Sequence, residues 1–195
     1  MKGQYIYTFV LFVVVFSFAG CGSKKPRTAD KVTGTAVELL YATRFSITHA
    51  DRYTAVTVLN PWREGETYAT YYLVKSEDIE TPADGSKVLV PLKSLMANSA
   101  THLGFLDLLD ELPVVTGVCD AGYIYNPEIR KAVEEGKVQD LGDAFNLNIE
   151  RLLMLRPQAV MTTAYNADDA NSKKMKQTGL TLIYNVEWQE RTLLG

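Results

Sequence analysis

Apolar positions along the chain change their spacing twice. Tyr5–Phe18 is almost wholly apolar, with Lys2 ahead of it, and closes on the small residues Ala19 and Gly20. The run is short and poorly flanked for a spanning helix and has the layout of a secretory leader. From Phe45 to Leu92 β-branched and aromatic residues alternate with polar ones. Tyr53–Leu59 and Glu66–Val74 read as strands, and Asn60-Pro61-Trp62-Arg63-Glu64-Gly65 between them carries turn residues at both ends, so the pair is an antiparallel hairpin. Pro82–Gly85 is a second turn, leading into a short strand at Lys87–Val90. Beyond Lys93 short apolar runs alternate with helical patterns. Strands are expected at Ser94–Ala97, Val114–Cys119, Ala159–Thr163 and Leu180–Tyr184. Helices are expected from an Asn98 or Ser99 cap to about Leu112, at Pro127–Glu135, at Ile149–Leu155 behind an Asn148 cap, and at Asp168–Thr178 before Gly179. Alternation of this kind implies parallel βαβ units with right-handed crossovers.

The apolar leader ends in Phe18-Ala19-Gly20-Cys21, which resembles the lipobox of bacterial lipoproteins. That resemblance implies cleavage before Cys21, lipid attachment to it, and an extracytoplasmic chain anchored to a membrane. The polar stretch Gly22–Lys31 then reads as a tether. The expected organisation is a leader at 1–20, a tether at 21–35, a β-hairpin segment at 36–92, an α/β lobe at 93–185 and the start of a long helix at 186–195. A domain ending as a helix opens suggests that the chain is cut short and that a second lobe is missing.

Charge removes one class of partner. Residues 1–20 contain Lys2 and no acid, so the net charge of −3 becomes −4 without them. No basic face or basic-aromatic interleaving points to nucleic acid. With Cys21 assigned to lipid, Cys119 stands alone, which excludes a disulfide framework and a cysteine zinc site. Cys119 ends an apolar run and reads as a small buried hydrophobe. His49 and His102 are not at metal-ligand spacing, and no metal or cofactor is expected.

In an open parallel sheet, ligands bind outside the carboxyl ends of the strands. This rule selects the loops Asn98–His102, Asp120–Asn126 and Ala164–Asn166. They supply Ser99, Thr101, His102, Tyr123, Tyr125, Tyr165 and Asn166 as candidate ligand-binding residues. Tyrosines offer large contact area with a polar tip. Catalytic residues are not apparent. There is no Gly-x-Ser-x-Gly elbow, dinucleotide fingerprint or phosphate loop, and a His102–Asp120 acid–base pair has no nucleophile. A small extracytoplasmic α/β hydrolase, a metal-chaperone lobe and a structural surface lipoprotein stand as the alternatives to a binding protein.

Ser94-Leu-Met-Ala-Asn-Ser-Ala-Thr-His102, the following Leu-Leu-Asp-Glu-Leu-Pro-Val-Val-Thr-Gly-Val118, and above all Leu147-Asn-Ile-Glu-Arg-Leu-Leu-Met-Leu-Arg-Pro-Gln-Ala-Val-Met161 resemble the substrate-binding lipoproteins of ABC importers for iron-siderophores, haem and cobalamin. Gln158 stands where that family commonly has Asp. Asn60-Pro61-Trp62 is similar to an N-terminal addition in one iron-transport subgroup. The resemblance implies the Rossmann-like lobe of a class III periplasmic binding protein, monomeric and non-enzymatic. It further implies an iron chelate, haem or cobalamin as ligand, an ABC permease as partner, and Glu150 as the residue that docks on the permease. Tyr123, Tyr125, Tyr165 and Arg130 suit a ferric siderophore first. Tyr123 or His102 as an iron ligand would suit haem second. Phe145, where some cobalamin binders carry tryptophan, puts cobalamin third. Few acids follow Cys21, which favours the periplasmic side.

Overall fold

Among the described residues, ten short strands make two sheets. The computed structural model describes residues 32–164 and 170–192. The leader, Cys21 and the tether to Lys31 lie outside the described residues, as do Tyr165 and Asn166.

The first sheet is β1 (Thr35–Ala36), β2 (Phe45–His49), β3 (Thr54–Leu59), β4 (Thr67–Val74) and β5 (Ser86–Leu89), in that order across the sheet. β1 to β4 are antiparallel. The expected hairpin is β3–β4, with Val56 opposite Tyr71. Asn60 fixes its turn, because its side-chain oxygen accepts from the backbone N–H of Trp62 and Arg63 at 2.9 and 3.1 Å. β5, by contrast, lies parallel to β4. The chain from Lys75 to Gly85 is long enough to cross back to the starting end, as a parallel pair requires. Gly85 permits the approach: a Cβ there would lie 2.6 Å from the Thr70 carbonyl oxygen.

The second sheet holds β6 (Leu95–Ala97), β7 (Val115–Val118), β8 (Gln139–Asp140), β9 (Ala159–Thr162) and β10 (Leu182–Tyr184). The order is β10-β9-β6-β7-β8, and every pair is parallel. The fold is α/β. Crossovers are α1 (Ala100–Leu108), α2 (Pro127–Glu134), α3 (Ile149–Leu155) and α4 (Ala170–Gln177). From β6 the chain winds outward to β8, then returns through α3 to lay β9 on the other side of β6. Winding therefore reverses between β6 and β9.

The helices divide between the faces accordingly. Leu103 of α1 and Ile129 of α2 pack with Ala97, Val115 and Val118. Leu152 of α3 and Met175 of α4 pack with Met96, Val160 and Leu182. This second cluster also takes in Val58, Tyr71 and Val88 of the first sheet, so one core serves both sheets. Polar contacts reinforce the junction. The Tyr184 N–H donates to the Tyr71 hydroxyl at 2.7 Å, and the Gln158 amide donates to the Leu89 carbonyl while accepting from Lys93 N, both at 2.9 Å. Gln158 thus has a use of its own at the position where the resemblance leads one to expect Asp.

Caps set the helix starts. Ser99, Asn126 and Asn148 accept from backbone N–H groups of the first turns of α1, α2 and α3. α1 ends a turn before the expected Leu112, because Asp110 takes a positive φ of 58° and the chain restarts as a 3₁₀ turn at Leu112–Val114. Leu109 is consequently exposed, while Leu103 and Leu112 are buried. The expected helix start at 186–195 also differs. Glu187–Gln189 is one 3₁₀ turn, after which Glu190 is extended.

Candidate functional site

The winding reverses between β6 and β9, and their carboxyl ends are where a sheet of this kind places a ligand crevice. Asn98 follows β6, and its N–H donates to the Met161 carbonyl at 2.9 Å, prolonging the ladder. Its side-chain nitrogen donates to the Thr162 hydroxyl at a long 3.4 Å. Asn98 is 5% and Thr163 2% exposed, yet Asn98 Oδ1 and Thr163 Oγ1 have no hydrogen-bond partner among the described residues. Buried polar atoms are normally paired, and an orphan costs about 1–3 kcal/mol. Two such atoms at a switch point are what a polar ligand group would satisfy.

Backbone strain gathers on the same edge. Ala164 after β9 and Asp120 after β7 have φ of 53° and 51°. Outside helix ends, such residues cost on the order of 1–3 kcal/mol and concentrate at functional sites. Asp120 is held there by two bonds: its N–H donates to the Gly142 carbonyl at 2.8 Å, and its carboxylate accepts from Ala144 N at 3.3 Å.

The remaining candidates are spread over several loops and helices. Ser99 and Thr101 share a hydrogen bond between hydroxyls at 2.9 Å at the start of α1, and Thr101 also donates to Glu187 Oε1 at 2.8 Å. Tyr123 and Tyr125 stand after β7, 76% and 91% exposed, with rings free to meet a ligand. Exposed Phe145 and Trp188 stand beyond β8 and β10. Glu150 is exposed in the first turn of α3, just past the carboxyl end of β8. Arg130 is exposed on α2.

His102 is the exception. It is 0% exposed, and its Nε2 lies 3.8 Å from Glu187 Oε2. That is an ion-pair separation, too long for a hydrogen bond. His102 therefore faces Glu187 and not the crevice, and the imagined His102–Asp120 pair does not form. Burial pushes the Glu187 carboxyl up, but the His102 imidazole and the Thr101 hydroxyl outweigh it, and the net shift is below the ordinary glutamate range. Sequence reasoning missed Asn98, Thr163, Glu187 and Trp188 as site residues. The strand-end rule could have found the first two, since both directly follow strands. Glu187 gave no local signal.

Cys119 is buried, and its thiol is pushed up to about 12, first by burial and then by Asp120, Asp140 and Asp143. In a Cys21→Ser chain, Cys119 is expected to resist a disulfide reagent at pH 8 and to react fully in denaturant. Rapid labelling of the folded chain would show a reactive thiol after all. Among the described residues no three His, Cys, Asp or Glu side chains form a metal-binding group.

No family model matches this chain. An uncharacterized lipoprotein of Methanocaldococcus jannaschii is 23% identical over 208 residues, covering 100% of this chain and 53% of its own length. A second from the same organism is 26% identical over 138 residues, covering 64% of this chain and 33% of its own. Both curated relatives are lipoproteins. The chain spans about half the length of one and a third of the other. Similar solved structures are the periplasmic heme-binding protein HutB of Vibrio cholerae (13% identity, TM-score 0.37, 47% of this chain, 32% of that one) and a periplasmic heme-binding protein of Pseudomonas aeruginosa (17%, 0.38, 48%, 31%). A third is the petrobactin-binding protein YclQ of Bacillus subtilis (19%, 0.37, 48%, 30%).

Proposed function

We propose that this chain is the ligand-capturing part of an extracytoplasmic lipoprotein that binds a metal chelate and passes it to an ABC permease. The observation that carries the reading is the pair of orphaned buried atoms, Asn98 Oδ1 and Thr163 Oγ1, at the winding reversal of the parallel sheet. A crevice of this kind, with few convergent polar groups and a rim of aromatic residues, fits a sizeable, partly aromatic solute. Tyr123 and Tyr125 supply the rim, and Tyr165 and Asn166 follow β9 in sequence. A ferric siderophore suits phenol groups best, with haem second and cobalamin third. Thr101 contributes a hydroxyl, while His102 acts behind it through Glu187. Glu150 is the docking residue. Cys21 carries the lipid, in keeping with the lipoprotein relatives. The protein binds and releases its solute and makes or breaks no bond in it.

Trp188 reports on the crevice, because its indole N–H donates to the Thr163 carbonyl at 3.1 Å. Titration of the full-length protein with ferric siderophores, haem and cobalamin is expected to quench Trp188 saturably with one of them, and more weakly in these 195 residues alone. A folded full-length protein that responds to none of the three would overturn the proposal.

A further inference from the structure

Glu187, Trp188, Gln189 and Glu190 together hold three parts of the molecule. Glu187 takes the Thr101 hydroxyl at 2.8 Å and faces His102, so it is fixed to α1. Trp188 donates to the Thr163 carbonyl at the end of β9. The Gln189 carbonyl accepts from Arg44 Nε at 3.2 Å. The Glu190 carboxylate accepts from Thr43 N at 2.9 and 3.0 Å, from the Thr43 hydroxyl at 3.0 Å and from Arg44 N at 2.8 Å. Thr43 and Arg44 lie between β1 and β2 of the first sheet. Four consecutive residues thus run from the parallel sheet to the antiparallel one.

Beneath them the packing between the sheets opens. A cavity of about 340 Å³ is lined by Phe45, Val58 and Tyr71 on one side and by Met161, Ile183 and Phe105 on the other. Protein interiors seldom keep voids much larger than a water molecule. At this end the apolar packing between the sheets is interrupted, although Tyr71 and Tyr184 beside it are bonded, whereas elsewhere Gln158 bonds Leu89 and Lys93 directly. Apart from the Tyr184 N–H bond to the Tyr71 hydroxyl, the polar contacts across this opening run through Gln189 and Glu190 to Thr43 and Arg44.

We propose that Glu187–Glu190 is a strap that closes the antiparallel sheet over this cavity and opens as one unit, so that loosening its α1 end frees its Thr43–Arg44 end. Hydrogen bonds to a charged group are the stronger kind, yet these are few and solvent-facing, which gives a local opening distinct from global unfolding. Because Glu187 lines the cavity and holds Thr101, an opening strap changes both the cavity and the wall of the crevice.

Hydrogen exchange on the full chain tests this without any ligand. Thr101→Val removes one hydroxyl at the α1 end. It is expected to speed exchange about tenfold at residues 43–44, at the opposite end, and at 187–190, while β7 keeps its protection. Glu190→Gln is expected to do the same at 101–102, with a gain in anilinonaphthalenesulfonate fluorescence as the cavity opens. Changes confined to the neighbours of each substituted residue would overturn the strap, as would loss of protection throughout both sheets at once.

Discussion

A chain carrying Glu150→Lys is expected to bind its solute as the unaltered protein does and to fail to deliver it. Glu150 is exposed in the first turn of α3, so its side chain takes no part in the core. The helix does not depend on it. Asn148 caps the turn by accepting from Arg151 N at 3.0 Å, and Leu152, 0% exposed, anchors the opposite face. Reversal removes a carboxylate from the positive end of the helix and costs about 0.3–1 kcal/mol. That is small against the 5–15 kcal/mol typical of a folded domain. At a docking surface complementary to an acid, by contrast, a lysine meets like charge, and such juxtapositions cost several kcal/mol. Uptake in cells should fall by roughly a hundredfold, while affinity in solution stays within about twofold, because the crevice is left as it was. An equal loss of affinity would place Glu150 in binding and end its docking role.

Asn98→Leu is expected to move stability and binding in opposite directions. Leucine keeps the approximate shape of asparagine and removes the orphaned Oδ1 together with a single long hydrogen bond to Thr162. Replacing an imperfectly paired polar group by an apolar one is neutral or stabilising, here by up to about 1 kcal/mol. The solute loses its partner, and its own polar group is stranded in the crevice, so affinity should drop roughly tenfold to a hundredfold. Thermal unfolding and calorimetric titration of the same variant decide the matter. A destabilised variant that binds normally would make Asn98 a structural residue.

Local chemistry was legible, and distant pairing was not. Ser99, Asn126 and Asn148 announced the helix starts, and Gly179 announced the end of α4, because capping acts within one turn. The β6–β10 alternation conveyed an α/β fold with a parallel sheet, and the carboxyl-end rule picked the loops on which the proposed site rests. The parallel attachment of β5 was invisible, since strand polarity depends on which end a long connection returns to. β1 and β8 are two residues each, too short for any period to show. His102 looked like a ligand contact from its place in a loop-to-helix turn. It is buried facing Glu187, 85 residues onward, and no local pattern carries that pairing.

The bonds between Thr43 and Glu190 span 147 residues of sequence. A chain exported amino end first presents its antiparallel sheet long before the residues that secure it have crossed the membrane. Closing so long a loop is a late event by its entropy, and folds with such distant contacts assemble slowly. Through that interval β2 and β3 have their inner apolar face uncovered, so the nascent protein is most vulnerable to proteases and self-association before its last described turn emerges. The rate at which the chain is delivered, as much as final stability, then governs how much folded protein a cell obtains.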